Sequence, residues 1–459
     1  MNTRRLEPNR FSYFALVAIL IFLTGVIVPY GNIKRYNPIV LATFLINGFV
    51  WTILLVKELK RVPYSFAMIH WCFNLLFFFF AALEQYMNNS FPWVEYRSDE
   101  VVTVANLLLL IWTAGILIGQ YGNIKGFRTS LFSLNKNIEI MNNFIFVLIA
   151  FLVMMWRVKN VGLLNLMARS TSGQYISDNG SISMLVETSV QAVAYFSTAL
   201  VVLKNKKRKT ELPIIIICLT CLVISYPPSG IARFAAAAIY LGLMLTCFDM
   251  FKKTNLFVFV LLGAFSIAMP LLNAFRSVAF ADVNLEQLLN SIVNNFSRMW
   301  LSGDYDAYTM LTLAIDHVQV HGMTWFYQLL GVILFWVPRA IWKNKPVGSG
   351  HYIAEKLGWS FKNLACPLPA EAYMNFGIIG IVVFSIALGR IMKKIDALYW
   401  KKTGDENVRR IDTLYPVLIV LFFFMCRGDL MSSMAYMSAY FIVGLLLTKK
   451  KNRYSAIDG

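Results

Sequence analysis

Charge is what this 459-residue chain has least of: 14% of its residues are Asp, Glu, Lys or Arg. A soluble domain needs roughly a quarter charged residues to cover its surface, so a water-soluble fold is excluded. Cysteine is scarce too. Five of the six, Cys72, Cys218, Cys221, Cys247 and Cys426, lie in apolar runs and leave Cys366 alone in polar sequence, which gives no disulfide framework. Cys218-Leu-Thr-Cys221 has the spacing of a metal or redox pair, but inside an apolar run simple packing explains it better. Internal repeats and low-complexity tracts are missing, which argues against a solenoid and against a fold of two related halves.

What is abundant is apolar sequence. Hydrophobic residues make up 58% of the chain, in runs near the ~20 residues that cross a bilayer core. The first run lacks a small-residue cleavage site and reads as a retained anchor. Spans are expected near 11–29, 37–56, 64–83, 101–119, 141–156, 183–203, 212–226, 231–248, 255–272, 371–391, 412–427 and 430–447. The net charge of +18 does not indicate nucleic acid, because its basic residues sit in short clusters between apolar runs. Arg4, Arg5 and Arg10 place the N-terminus in the cytoplasm. Lys57, Lys60 and Arg61, then Lys125, Arg128 and Lys136, then 204–209, Lys252-Lys253, Lys393-Lys394 with Lys401-Lys402, and Lys449-Lys450-Lys451 mark every second connection. Cytoplasmic loops are labelled in this way during insertion, so both termini are expected in the cytoplasm. The fold class is an all-α polytopic membrane protein of about 12 transmembrane helices, with one large outer loop between helices 9 and 10.

The segment 324–342 is apolar enough to cross, but Pro338 and Arg339 interrupt it. Crossing would also break the basic alternation, so it is expected to be an interfacial or re-entrant helix on the outer face. The chain then divides into 1–272 (helices 1–9), the outer loop 273–370 and 371–459 (helices 10–12 with a cytoplasmic tail). A loop of about 100 residues is far beyond ordinary connection length and points to function.

Several arginines fall on the outer side, opposite to the insertion bias: Arg157, Arg169, Arg233, Arg276, Arg298, Arg339 and Arg427. A single arginine at the membrane edge often snorkels to lipid phosphate. Several together suit a pyrophosphate, because the planar guanidinium donates two hydrogen bonds and stays charged. Carboxylates share the loop: Asp304 and Asp306 in Gly303-Asp-Tyr-Asp306, Asp316, Glu355 and Glu371. The two aspartates could cap a helix beginning at Ala307. Asp304-Tyr-Asp306 has the form of a nucleotide-sugar metal clamp, but such sugars are cytoplasmic and the loop faces outward. His317 and His321 have helical metal-pair spacing without further clear ligands, so packing is the simpler reading. His351 follows Gly348-Ser-Gly350 on an expected flexible turn.

Gly303-Asp-Tyr-Asp-Ala-Tyr308, then Trp336-Val-Pro-Arg339, Trp342, Asn344-Lys-Pro-Val-Gly-Ser-Gly350 and Glu371-Ala-Tyr-Met-Asn-Phe-Gly377 resemble bacterial oligosaccharide repeat-unit polymerases, the O-antigen (Wzy-type) family. The resemblance covers the whole hydropathy plan, with motif detail mainly in 300–380. Two outer loops of that family can carry Arg, ten residues and Gly, as do Arg169 to Gly180 and Arg339 to Gly350 here. The resemblance implies a glycosyltransferase of the bacterial cytoplasmic (inner) membrane that acts on polyprenyl-pyrophosphate-linked oligosaccharide at the outer face. It would build O-antigen or capsular polysaccharide, with a polysaccharide chain-length regulator as a further partner. No cofactor or metal is expected. Arg169, Arg233, Arg276 and Arg339, with Lys345, are the expected phosphate or glycan clamps. Glu371, Asp304 and His351 are the candidate bases. The alternatives are an outer-face ligase, which differs only in its acceptor, and a flippase, for which short even loops and two related halves are the usual plan.

Overall fold

In the computed structural model the described residues are 33–122, 134–167, 180–205, 211–265, 286, 299–401 and 408–450. They are overwhelmingly helical. Helices fall on every expected span except 11–29, which lies outside the described residues, as does the end of 255–272 beyond 265. We number those used below: α1 Pro38–Leu59, α2 Phe66–Met87, α3 Asp99–Tyr121, α4 Asn143–Val161, α5 Gly180–Asn205, α6 Leu212–Ser225, α7 Arg233–Cys247, α8 Ala307–His321, α9 Tyr327–Ile333, α10 Ser349–Lys356, α11 Leu368–Trp400, α12 Arg410–Arg427 and α13 Leu430–Leu446. Six of the described helices, α1 to α5 and α11, are long and apolar enough to cross a membrane.

Their starts follow from local sequence. Asn37 accepts the amides of Ile39 and Val40, with Pro38 as the first helical residue. Ser65 and Ser98 cap α2 and α3 in the same way, and Asp429 caps α13. Each side-chain oxygen satisfies an amide that lacks an intrahelical partner.

Helix α2 is the central pillar, with 89% of its apolar window buried, whereas α4 has 22%. Exposed Phe144, Leu148, Phe151 and Leu152 on α4 form a face suited to lipid. The closest packing joins α3 to α11 through small residues. A Cβ on Gly119 would lie 2.2 Å from the Ile386 carbonyl, and one on Gly389 2.2 Å from that of Ile116. Gly115-x-x-x-Gly119 thus meets Ser385-x-x-x-Gly389, the small-residue spacing that lets membrane helices approach. Buried polar groups pair across helices: Asn47 donates to the Asn106 carbonyl at 3.0 Å, and Tyr308 to the Asn106 side chain at 3.0 Å.

One end of the bundle is basic. There Ile138–Glu139 pairs antiparallel with Lys449–Lys450, Lys204 reaches the carbonyl of Met141, and Arg409 binds the carbonyls at the end of α11. The opposite end, called the far end here, gathers the start of α11, the α12–α13 turn and the described part of the long loop.

That loop departs from expectation. Helix α8 does not lie outside the bundle. Residues 307–315 are all buried, and Tyr308 reaches the Val102 carbonyl a turn inside α3. By contrast, 324–342 contains only the seven-residue α9, about 10 Å of helix, which is too short to cross. Trp325, Trp336 and Ile341 around it are exposed. The buried element of the loop is α8, whose small residues pack among the helices while Tyr308 and Thr309 find polar partners on α3 and α2.

Candidate functional site

Helix α11 is broken near its start. Phe376 and Gly377 leave helical geometry, and Gly377 has φ +58°, a conformation that favours glycine. The break frees acceptors, and the long loop supplies donors. The Thr324 amide bonds the Met374 carbonyl at 2.8 Å, and its hydroxyl bonds Asn375 Oδ1 at 3.1 Å. Interrupted membrane helices with re-satisfied backbone are a recurring frame for binding sites.

The segment of α11 before the break includes Glu371, which is fully buried. Its Oε2 accepts the Ser349 hydroxyl at 2.6 Å and its Oε1 the Leu430 amide at 3.1 Å. Glu371 thus serves the N-terminus of α13 rather than that of its own helix. A second carboxylate, Asp429, is its close charged neighbour. Asp429 Oδ1 accepts the Ser432 amide at 3.1 Å. Gly348 presses on the same carboxylate: a Cβ there would lie 2.2 Å from Oδ2. Gly350 is equally constrained, 2.3 Å from the Leu364 carbonyl by the same measure. The Gly348-Ser-Gly350 turn therefore joins the long loop to both carboxylates by close backbone approach, not as a free turn.

Two ion pairs adjoin this turn, one of them through Arg427. Asp306 precedes α8, but its side chain makes no capping bond, contrary to expectation. Its Oδ1 instead accepts Arg427 at 3.0 Å and its Oδ2 the Trp93 indole N–H at 3.0 Å. A buried carboxylate needs such a cation, and removing the partner of a buried ion typically costs about 3–5 kcal/mol. Arg427 also donates to the Gly303 carbonyl at 2.8 Å, while its buried Nε has no acceptor among the described residues. Asp304 turns outward, with 39% of its side chain exposed, and pairs with Arg233 at 3.2 Å.

The expected residues therefore separate. Arg233 and Asp304 meet, and Glu371 binds elsewhere, on Ser349 and Leu430. Arg339 donates to the carbonyls of Lys345 and Pro346, and Lys345 to those of Phe335 and Val337. These two cations staple their own loop. Burial and the neighbouring Arg339 pull the Lys345 ammonium below the ordinary lysine range. His351 is half-buried in the first turn of α10. Arg169 and Arg276 lie outside the described residues. His317 lies beside His321, ring centroids 4.9 Å apart and planes tilted by 41°, and Asp316 pairs with Arg97. Burial and the nearby His321 and Lys356 pull His317 down to about 4. Among the described residues no group of three or more His, Cys, Asp or Glu is placed to hold a metal ion.

Asp429 and Trp93 were not singled out from the sequence, and Arg427 and Asp306 were noted there without being chosen as clamp or base. The available signal was Arg427-Gly-Asp429, a charged pair in a tight turn on the side opposite the basic clusters. Set against known protein families, curated proteins and solved structures, the chain matches none.

Proposed function

We propose that this chain polymerises polyprenyl-pyrophosphate-linked oligosaccharide repeat units at the outer face of a bacterial cytoplasmic membrane. The observation that carries the reading is the presence of the Arg427–Asp306 and Arg233–Asp304 ion pairs at the far end of the bundle. They are set beside a broken membrane helix, and Arg427 keeps a buried N–H unspent. The positive-inside pattern assigns that end to the outer side, where lipid-linked units are met after translocation.

In the reaction, the bond from the anomeric carbon of the growing glycan to its lipid pyrophosphate breaks, and the electron pair leaves on the phosphate oxygen. A hydroxyl of the incoming unit bonds to that carbon and gives up its proton. Preorganised guanidinium groups stabilise charge developing on the leaving pyrophosphate, the role assigned to Arg427 and Arg233. Asp304 is the carboxylate with access to receive the proton. Glu371, with both oxygens occupied and no exposure, fits a positioning role that holds Ser349 and the α13 terminus in place. Arg169, Arg276 and His351 stay as candidates for glycan contact from the surrounding loops.

Deleting the chain from its host tests the reading by glycan length. A polymerase's loss leaves single repeat units capped on the surface. A flippase's loss leaves none there, and a ligase's loss leaves full-length polymer on its lipid carrier; either of those outcomes removes the proposal.

A further inference from the structure

The far end carries exposed aromatic surface that the ion pairs do not use. Between α2 and α3 the chain makes a tight turn, with an isolated bridge from Phe91 to Val94. At its tip Trp93 has φ +71°, and Asn89 before it has φ +48°. Left-handed backbone at a bulky residue is costly, and it persists where the surroundings over-determine it, often at ligand sites. The surroundings do so here. The indole N–H is fixed on Asp306 at 3.0 Å, and Gly303 packs so closely that a Cβ would lie 2.4 Å from the ring. Phe361, from the strand of loop that leads to the start of α11, lies nearly parallel to the indole, with centroids 5.4 Å apart and planes at 28°.

Burial does not explain this effort, since Trp93 is 42% and Phe361 51% exposed. Trp93 is fixed at a backbone cost, Phe361 stacks on it, and much of the surface of both stays in solvent. Asp304, with its exposed carboxylate, is the neighbour of Gly303 beneath the indole. Flat apolar surface beside a few fixed polar groups is what a pyranose ring requires: its C–H face lies on an aromatic ring, and its hydroxyls bond carboxylate or guanidinium.

We propose that the outward face of Phe361, backed by the stacked Trp93 indole, forms a sugar-stacking subsite that seats a pyranose of the incoming repeat unit. This inference deepens the polymerase reading and rests on it. The stacking surface positions the acceptor; Asp304 does the chemistry.

The test uses the full-length protein in nanodiscs and the oligosaccharide released by mild acid from lipid-linked units of the host cell. Saturation-transfer NMR reports sugar binding, and a lipid-linked acceptor series gives KM and kcat. Phe361→Ala should weaken the NMR effect and raise acceptor KM roughly three- to tenfold, the worth of one aromatic contact, with a smaller change in kcat. Phe361→Tyr should restore both. The Phe361 ring is half exposed, so thermal melting should stay unchanged and mark the loss as local. If the wild type polymerises but Phe361→Ala leaves KM and the NMR effect unchanged, the subsite is wrong and the polymerase reading stands. If the wild type makes no polymer yet binds the sugar through Phe361, the polymerase reading falls and the glycan site stands. Neither polymer nor binding overturns both.

Discussion

Replacing Glu371 separates a scaffold from a base. Its two oxygens hold the Ser349 hydroxyl and the Leu430 amide, both buried. In Glu371→Leu those donors lose their acceptors without gaining water, at about 1–3 kcal/mol each. The turn at Ser349 and the start of α13 should loosen together, at a total cost of roughly 2–6 kcal/mol. In Glu371→Gln the amide oxygen still accepts from Leu430, and the amide NH₂ donates to the Ser349 oxygen once that hydroxyl rotates. The cost should be about 1 kcal/mol or less. The assay is thermal melting in nanodiscs alongside polymer length in cells at matched expression. Glu371→Leu should melt well below the wild type and make short polymer, while Glu371→Gln should melt within a few degrees of it and still polymerise. Loss of a general base instead lowers rate by about 10² to 10⁴. A Glu371→Gln protein of normal stability with a rate loss of that size would show that Glu371 takes part in proton transfer and that the scaffold argument is wrong.

Arg427→Ala should abolish polymerisation and destabilise the far end, by about 3–5 kcal/mol for the stranded Asp306 charge; Arg427→Lys should restore stability more than activity, read by melting and by glycan gels. Gly119→Leu should block the approach of α3 to α11, since even a Cβ would fall 2.2 Å from the Ile386 carbonyl; loss of folded protein in size-exclusion chromatography checks this, and normal yield would refute the packing. Lys345→Met leaves the Phe335 and Val337 carbonyls without their cation, so protease should cut the 335–346 loop faster while the helices survive. Cysteines placed at Lys362 and Lys60 should label with an impermeant thiol reagent from opposite sides, and labelling from one side would break the topology.

Much of this architecture was legible from residue order alone, because apolar runs and caps are local. Described helices occupy the expected segments. Legibility ends where partners are distant in sequence. Arg427 and Asp306 are 121 residues apart, and Glu371 and Leu430 are 59 apart. No periodicity records either pairing. Arg233 and Asp304 were individually expected, but their contact was not. Arg339 and Lys345 were expected to face the ligand, yet the Pro338 and Pro346 bends expose carbonyls that these two cations satisfy first. The buried course of α8 was hidden for a similar reason. Its helix was expected from Ala307, but not that Asn106 and Gln85 receive Tyr308 and Thr309 within the bundle.

The central claim is tested most directly by purified protein in liposomes, given only lipid-linked repeat units, with products resolved by length. The account predicts a ladder of lipid-linked oligomers that grows with time in the wild type and is missing with Arg427→Ala. Repeat units that cross the bilayer or remain single, with no glycosidic bond formed, would contradict it.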